Sequence, residues 1–269
     1  MRAAKVAVIA LVAVFTIALS IRSVGRHYLF PTQDVPVIVP PSSVEHWEFR
    51  ASDGESVRAL AVLGGKHGHV VVYFHNNRET MVEPLSLARM LSARGLDVVL
   101  AEYRGYGLSK SGAAPTEDGL YLDAEATLNE LARRGYDRER VILWGTSLGT
   151  GVAAEMARRH RVAALVLVSP YTSIPDLVRE RAFVSLPEFL LPDRFDIASK
   201  AAAIRVPTLI VHGDADEIVP FSMGTRLAKL IVGSTFVRVK SGRHGDLFAR
   251  GGKPLLDRIS SFADSFQSS

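Results

Sequence analysis

The chain has 269 residues and a formal net charge of +4, with 48% hydrophobic and 22% charged residues. This composition excludes an intrinsically disordered chain, and the length suits one α/β domain preceded by a short separate segment. There is no cysteine, which excludes disulfide bonds, a thiol nucleophile and cysteine-ligated metals. The four basic residues within residues 1–30 account for the whole net charge. The remainder is formally neutral, which argues against nucleic-acid binding.

The first 30 residues differ in pattern from the rest of the chain. Residues 6–21 form an uncharged apolar run with two basic residues on each side. Such a run predicts a single-pass membrane anchor over residues 1–30, with the following domain on the extracytoplasmic side. A signal peptide cleaved after Ser20 is the alternative, because small residues occur there at the required spacing. Residues 31–43 contain four prolines and predict an extended linker.

Residues 44–269 have the pattern of an α/β domain. Two alternating segments at 44–50 and 57–63 predict an antiparallel hairpin. After the hairpin, short apolar runs alternate with amphipathic stretches, which predicts a mainly parallel sheet with helices on both faces. The predicted strands lie at 70–74, 98–103, 141–144, 164–169, 208–213 and 235–240. The clearest predicted helices lie at 84–95, 117–135 and 148–160.

A candidate nucleophile follows the predicted strand at 141–144. The chain there reads WGTSLGTG and continues directly into helix-like sequence. The spacing of Gly145, Ser147 and Gly149 is typical of a serine on a sharp turn between a strand and a helix. Small neighbours let the strand and the helix pass close to each other at such a turn. Ser147 is therefore the predicted nucleophile.

A serine hydroxyl needs a general base, and the chain offers eight histidines. His212 ends a predicted strand, and we interpret it as a structural imidazole that bonds to nearby backbone. His244 lies in a glycine-flanked loop after the last predicted strand. We predict His244 as the base, because that loop can return to the carboxyl edge of the sheet. The histidines that are better explained as exposed residues are His27, His46, His67, His69 and His160.

The base needs a carboxylate that orients the imidazole and stabilises its charged form. The segment HGDADEIVP, which begins at His212, offers Asp214, Asp216 and Glu217 at the end of one predicted strand. We favour Asp216 as the acid. Asp214 is the alternative, but it directly follows the His-Gly turn and is suited to holding that turn through bonds to the backbone.

The sequence resembles the α/β-hydrolase superfamily, and more closely the membrane-anchored serine hydrolases of the Bem46 and ABHD13/ABHD17-like group. The resemblance rests on FHNN, EYRGYGLSKSGAAPTEDGLYLDA, WGTSLGTG, HGDADEIVP and the terminal RHGDL, with the candidate residues in the order serine, acid, histidine. It implies an α/β-hydrolase fold with an eight-stranded sheet and a triad of Ser147, Asp216 and His244. It also implies hydrolysis of an acyl ester or thioester with no metal and no organic cofactor.

The same resemblance implies an oxyanion hole formed by the backbone N–H groups of Leu148 and Asn77. Relatives read His-Gly-Asn after the third strand, whereas this chain has Asn76 in place of the glycine. Asparagine is the residue other than glycine that best tolerates left-handed dihedral angles. We therefore expect the loop to keep its shape, although a side chain now enters a tight region.

Residues 170–206 lie between the sixth and seventh predicted strands, where relatives carry a small lid. This lid is suited to forming an acyl-binding wall, and ordinary packing onto the sheet explains its apolar residues at least equally well. Its large apolar residues are Ile174, Leu177, Val178, Phe183, Leu186, Phe189, Leu190 and Leu191. In the segment RGYG at 104–107, we predict that Arg104 bridges loops and does not touch substrate.

The predicted function is a membrane-tethered serine hydrolase acting on a small-molecule or lipid acyl substrate. Two alternatives remain open. One is a serine peptidase related to the prolyl oligopeptidase catalytic domain, although this chain has no propeller-sized domain before the hydrolase region. The other is a non-catalytic binding module with the same fold. Silent members of this fold usually lose a triad residue, and none is missing from this sequence.

Overall fold

The computed structural model describes residues 2–64, 68–110 and 112–265, with the backbone alone at 2–14, 17, 188 and 264. The strands are β1 Glu45–Arg50, β2 Ser56–Val62, β3 Val70–Phe74, β4 Asp97–Ala101, β5 Val141–Thr146, β6 Ala164–Val168, β7 Thr208–Gly213 and β8 Thr235–Val239. The α-helices are α1 Arg2–Leu29, α2 Leu85–Ser92, α3 Glu117–Arg133, α4 Leu148–Arg159, α5 Ile174–Ala182, α6 Ile197–Lys200, α7 Phe221–Leu230 and α8 Leu247–Asp264.

The described strands form one sheet of eight strands in the order β1-β2-β4-β3-β5-β6-β7-β8. β2 pairs antiparallel with both β1 and β4, and every later pairing is parallel. The predicted leading hairpin and mainly parallel sheet are therefore confirmed. The parallel arrangement brings the carboxyl ends of β3, β5 and β7 to one edge of the sheet, where open α/β sheets bind their ligands.

The continuous apolar runs of the central strands follow from burial on both faces. Every residue of β3 to β7 is buried except Thr146 at the end of β5. Successive side chains of β3 alternate between two hydrophobic layers, with Val72 and Phe74 in one and Val71 and Tyr73 in the other. Apolar residues of α3 and α4 belong to the first layer and those of α2 and α8 to the second. Helices therefore cover both faces, as predicted.

The N-terminal helix α1 ends against the domain. Within the described part of the chain, no helix is long and apolar enough to span a bilayer. The prediction of a transmembrane anchor is therefore not confirmed. The described side chains of α1 include Arg22 and Arg26, and most of the apolar run at 6–21 falls on residues whose side chains are not described. Arg26 faces the domain, because its Nε donates to Asp193 Oδ2 at 2.9 Å.

Asp193 joins three parts of the fold at one point. Its side chain is almost fully buried, and its second oxygen accepts the backbone N–H of Glu117 at 2.8 Å. Glu117 in turn accepts the backbone N–H groups of Arg194 and Phe195 at 2.6 and 2.8 Å. These bonds fix residues 193–195 of the lid to the start of α3, and Arg26 links the end of α1 to the same point.

Candidate active site

Ser147 occupies the turn between β5 and α4. Its backbone angles, φ 51° and ψ −115°, lie in a region that residues with a side chain rarely adopt. The neighbouring glycines make this turn sterically feasible. A Cβ at Gly145 would collide with the backbone of Gly149, and a Cβ at Gly149 would collide with the carbonyl oxygen of Phe74. The GxSxG pattern is thus explained by the close crossing of β5, α4 and β3.

His244 comes from the loop between β8 and α8 and reaches Ser147. Its Nε2 lies 3.0 Å from Ser147 Oγ, and its Nδ1 lies 2.9 and 3.1 Å from the two carboxylate oxygens of Asp216. A proton on Nδ1 can be donated only to the carboxylate, which leaves Nε2 free to accept the serine proton. The structure thus brings together the three side chains that the sequence singled out.

Asp216 follows β7, and its side chain is fully buried. Its Oδ1 also accepts the backbone N–H groups of Ile218 and Val219 at 2.9 and 2.8 Å. Burial by itself would raise the pKa of Asp216, but the contacts with His212, His244 and Val219 outweigh it and hold the pKa well below its usual range. Asp216 is therefore an ionised acceptor aimed at His244.

Asp214 has a different set of partners. It accepts from Arg238 Nε at 2.7 Å and from the backbone N–H of Ser241 at 2.6 Å. The hydrogen bond from Arg238 lowers the pKa of Asp214. Both partners belong to the end of β8 and the turn after it, so this carboxylate ties β7 to β8 and does not face His244. His212 is fully buried, and its Nε2 lies 3.1 Å from the carbonyl of Val219, in agreement with a structural role.

The expected oxyanion residues, Leu148 and Asn77, line the same cavity as Ser147. Leu148 is the first residue of α4, where a backbone N–H has no acceptor within the helix. Asn76 is not among the described residues with a positive φ, so the loop does not use the left-handed angles that asparagine tolerates. The Oδ1 of Asn76 accepts the backbone N–H of Arg78 at 2.8 Å, so the side chain closes a local turn with right-handed or extended backbone angles.

The side chain of Asn77 has a role that sequence reasoning missed. Its Nδ2 donates to the carbonyl oxygens of Tyr28 and Leu29, each at 3.1 Å. These carbonyls end α1 and have no partner within the helix. One residue thus joins the loop after β3 to the N-terminal helix. Acceptance by backbone carbonyls depends on no particular side chain in α1, so the sequence carries no signal for this contact.

An apolar cavity of about 840 Å³ opens beside Ser147. The lid contributes one wall, which includes six of the eight apolar residues predicted for it, whereas Phe183 and Phe189 are exposed. The end of α1 contributes a further part of the lining, which the sequence did not predict. The lining side chains of the lid and α1 include Ile21, Val24, Tyr28, Leu29, Ile174, Leu177, Val178, Leu186, Leu190 and Leu191.

The remaining charged residues near the site have structural partners or lie at the cavity rim. Arg104 is buried and pairs with Asp123 and Asp53 at 2.7 and 2.6 Å, so it bridges α3 to the β1–β2 turn as predicted. Arg22 and Arg181 line the cavity and are exposed. Among the residues that the structure describes, no group of three histidine or acidic side chains is arranged to hold a metal ion.

Comparison with known proteins finds sequence relatives that match most of the chain. A model of the family described as "Serine aminopeptidase, S33" matches residues 65–192. An uncharacterized protein of Mycobacterium tuberculosis is 33% identical over 248 residues, which cover 91% of this chain and 81% of that protein. The lysophosphatidylserine lipase ABHD12 of Macaca fascicularis is 32% identical over 222 residues, covering 75% of this chain and 55% of the lipase.

A solved structure supports the same fold. An esterase of Pyrococcus furiosus superposes with a TM-score of 0.73 over 87% of this chain and 98% of the esterase, at 16% sequence identity. At that identity the likeness concerns the fold alone. Together with the sequence relatives, it confirms the resemblance on which the sequence analysis relied.

Proposed function

The chain belongs to the α/β-hydrolase superfamily, and we propose that it is a serine hydrolase that cleaves acyl ester or thioester bonds in lipids or lipidated molecules. The observation that carries this proposal is the series of contacts from Ser147 through His244 to Asp216, beside a large apolar cavity that Ser147 lines. The three side chains supply a nucleophile that can be activated, and the cavity offers room for an acyl group.

In the proposed mechanism, His244 Nε2 removes the proton from Ser147 Oγ as that oxygen attacks the acyl carbon. The ionised Asp216 stabilises the imidazolium through Nδ1. The carbonyl oxygen becomes an oxyanion and accepts the N–H groups of Leu148 and Asn77. His244 then donates its new proton to the leaving alcohol or thiol, which departs and leaves an acyl-enzyme. In the second half of the reaction, His244 takes a proton from water as the water oxygen attacks the acyl carbon of the acyl-enzyme. His244 then returns this proton to Ser147 Oγ as the acid leaves.

The cavity supports an apolar acyl group as the recognised part of the substrate. Each methylene transferred from water to an apolar wall contributes about 0.8 kcal/mol. The exposed guanidinium groups of Arg22 and Arg181 at the rim suit an anionic group at the polar end of such a molecule. The name of the ABHD12 relative, a lysophosphatidylserine lipase, describes a substrate of that kind.

A peptidase is the second candidate, because the matching family model carries the description of an aminopeptidase. An aminopeptidase has to bind a substrate ammonium group, for which a free carboxylate near the nucleophile is suited. The carboxylate that lines the described cavity is Asp193, which is already paired with Arg26 at 2.9 Å. The apolar lining and this pairing favour the acyl hydrolase.

Labelling with a fluorophosphonate probe tests the proposal. We expect the wild-type protein to be labelled and Ser147→Ala to remain unlabelled, because the probe reacts with an activated serine. A panel of p-nitrophenyl esters of increasing chain length, with an acyl thioester and a peptide amide, then separates the two candidates. Labelling that does not depend on Ser147 would contradict the serine hydrolase. Faster turnover of the amide than of the esters would favour the peptidase.

The acyl-binding role of the lid is tested by filling the cavity. Val178 lines the cavity, whereas Val184 belongs to the same lid but is exposed and does not line it. We expect Val178→Trp to lower kcat/KM for a dodecanoyl ester by at least ~10-fold, because excluding two methylenes costs about 1.6 kcal/mol. Turnover of an acetyl ester should be unchanged. The control Val184→Trp should leave both esters unaffected, and an equal loss on both esters in Val178→Trp would contradict the assignment.

A further inference from the structure

Three consecutive backbone carbonyls in the loop after β3 each accept a hydrogen bond from a buried side chain. Tyr103 Oη donates to the carbonyl of His75 at 3.1 Å, and Tyr106 Oη donates to that of Asn77 at 3.3 Å. Between them, His75 Nδ1 lies 2.6 Å from the carbonyl oxygen of Asn76. Because a carbonyl oxygen can only accept, Nδ1 must carry a proton. The loop is therefore held through its carbonyl side.

The middle bond also sets the direction of an N–H group. In a trans peptide the carbonyl oxygen and the following N–H point to opposite sides. The described chain contains no cis peptide. The carbonyl of Asn76 and the N–H of Asn77 belong to one peptide plane, so a donor that fixes this carbonyl also fixes that N–H. His75 lies in the interior, whereas Asn77 lines the cavity beside Ser147.

The other nitrogen of His75 faces a buried carboxyl group. His75 Nε2 lies 3.0 Å from Glu102 Oε1, and both side chains are fully buried. The two groups are not aligned for a hydrogen bond, and among the described residues nothing else donates to the Glu102 carboxyl. The contact is therefore electrostatic. Two unprotonated acceptors at this distance would repel each other, so either Nε2 or the Glu102 carboxyl must carry a proton.

The residues around His75 and Glu102 leave room for this buried pair. Gly107, the last residue of RGYG, has φ +42°, and a Cβ there would collide with the Glu102 carboxyl. The glycine thus leaves room for the buried acid. Glu79 is a second acidic group near His75. Burial raises the pKa of Glu79, and the charge of His75 opposes this shift. Tyr103 and Tyr106 complete the surroundings, with ring centroids 4.2 and 5.3 Å from that of His75.

We propose that His75 and Glu102 are positioning residues for the oxyanion hole. The pair carries one further proton, on Nε2 or on the carboxyl, and in both cases Nδ1 of His75 remains a donor. This donor fixes the Asn76 carbonyl and directs the Asn77 N–H at the developing oxyanion. This inference rests on the proposed function, since an oxyanion forms only if the site performs acyl transfer. It assigns a role to two buried groups that do not touch the substrate.

Two replacements of His75 separate this role from simple packing. In His75→Asn the amide nitrogen can take the position of Nδ1 and still donate to the Asn76 carbonyl. In His75→Gln the amide nitrogen reaches the position of Nε2 and leaves that carbonyl without a donor. Loss of one oxyanion donor costs about 10²- to 10³-fold in kcat. We expect a kcat loss approaching ~100-fold in His75→Gln with KM nearly unchanged, and a much smaller loss in His75→Asn.

Octylboronic acid reacts with a serine hydroxyl to give a tetrahedral boronate, one oxygen of which occupies the oxyanion position. Its affinity for the two His75 variants should fall in parallel with their kcat. Glu102 supplies a second pair of variants in case His75→Gln does not fold. Glu102→Gln can donate its amide to Nε2, which keeps the proton on Nδ1 and should preserve kcat. Glu102→Leu cannot donate to Nε2, and its kcat should be lower than that of the wild type. Equal kcat losses within both pairs, or losses that appear in KM alone, would overturn the inference.

Nitrogen-15 NMR of labelled histidine gives a readout that does not require turnover. We expect the Nδ1 of His75 in the wild-type protein to be protonated, with a strongly downfield proton because of its short hydrogen bond. An unprotonated Nδ1 would overturn the inference whether or not the protein hydrolyses esters. Conversely, a protonated Nδ1 without Ser147-dependent turnover would contradict the proposed function and leave the hydrogen-bond assignment standing.

Discussion

Replacement of Ser147 by alanine is expected to lower kcat for an acyl ester by about 10⁴- to 10⁶-fold, and His244→Ala by a similar factor. The reason is that the two residues act as a unit. Without Oγ there is no nucleophile, and without the imidazole 3.0 Å away the hydroxyl keeps its proton. The double variant should be barely slower than either single variant, because each removes the same acyl-enzyme route.

Steady-state kinetics with a p-nitrophenyl ester, together with thermal unfolding of each variant, measures this expectation. Ser169 provides a matched control. It is also a buried serine with a positive φ, at the end of the neighbouring strand β6, but it does not line the cavity. Ser169→Ala should keep kcat within about an order of magnitude of the wild type. Additive losses from Ser147→Ala and His244→Ala would show that the two residues do not share one route.

The positions of Ser147, Asp216 and His244 could be predicted because each follows a strand that the sequence marks clearly. Strands buried on both faces read as continuous apolar runs, and the carboxyl ends of parallel strands meet at one edge of the sheet. Loops that leave this edge must lie close together, whatever their separation in sequence. The positions of the motifs at the ends of predicted strands were therefore sufficient to predict that these three side chains lie close together.

The docking of α1 could not be predicted in the same way. Its apolar composition is typical of a membrane segment, and nothing in the sequence therefore indicated that α1 lines the cavity. The contact of Asn77 with α1 uses the carbonyls of Tyr28 and Leu29, which any residue could supply. The conformation of Asn76 was also not specified by the sequence. The glycine of relatives suggested a left-handed position, whereas an asparagine side chain can instead close a turn by accepting the N–H of Arg78.

Asp216→Asn is expected to lower kcat by about 10⁴-fold, whereas Asp214→Asn should change it little. The carboxylate of Asp216 accepts the Nδ1 proton of His244. An asparagine amide can donate at that position, which would favour the opposite tautomer and leave Nε2 protonated and unable to take the serine proton. Asp214 instead holds the end of β8 through Arg238 and Ser241, so its loss should lower stability more than activity.

Kinetics of the two variants, combined with thermal unfolding between about pH 2 and 7, distinguishes the two aspartates. The pKa of Asp216 is depressed in the folded state, so the carboxylate contributes stability that is present above its ordinary value of 3.8 and is lost as the pH falls through its folded value. Asp216→Asn lacks this contribution. The difference in Tm between the wild type and this variant should therefore shrink as the pH falls below 3.8. A large kcat loss in Asp214→Asn with a mild one in Asp216→Asn would reverse the assignment of the acid, since only the residue that orients His244 can control the tautomer on which proton transfer from Ser147 depends.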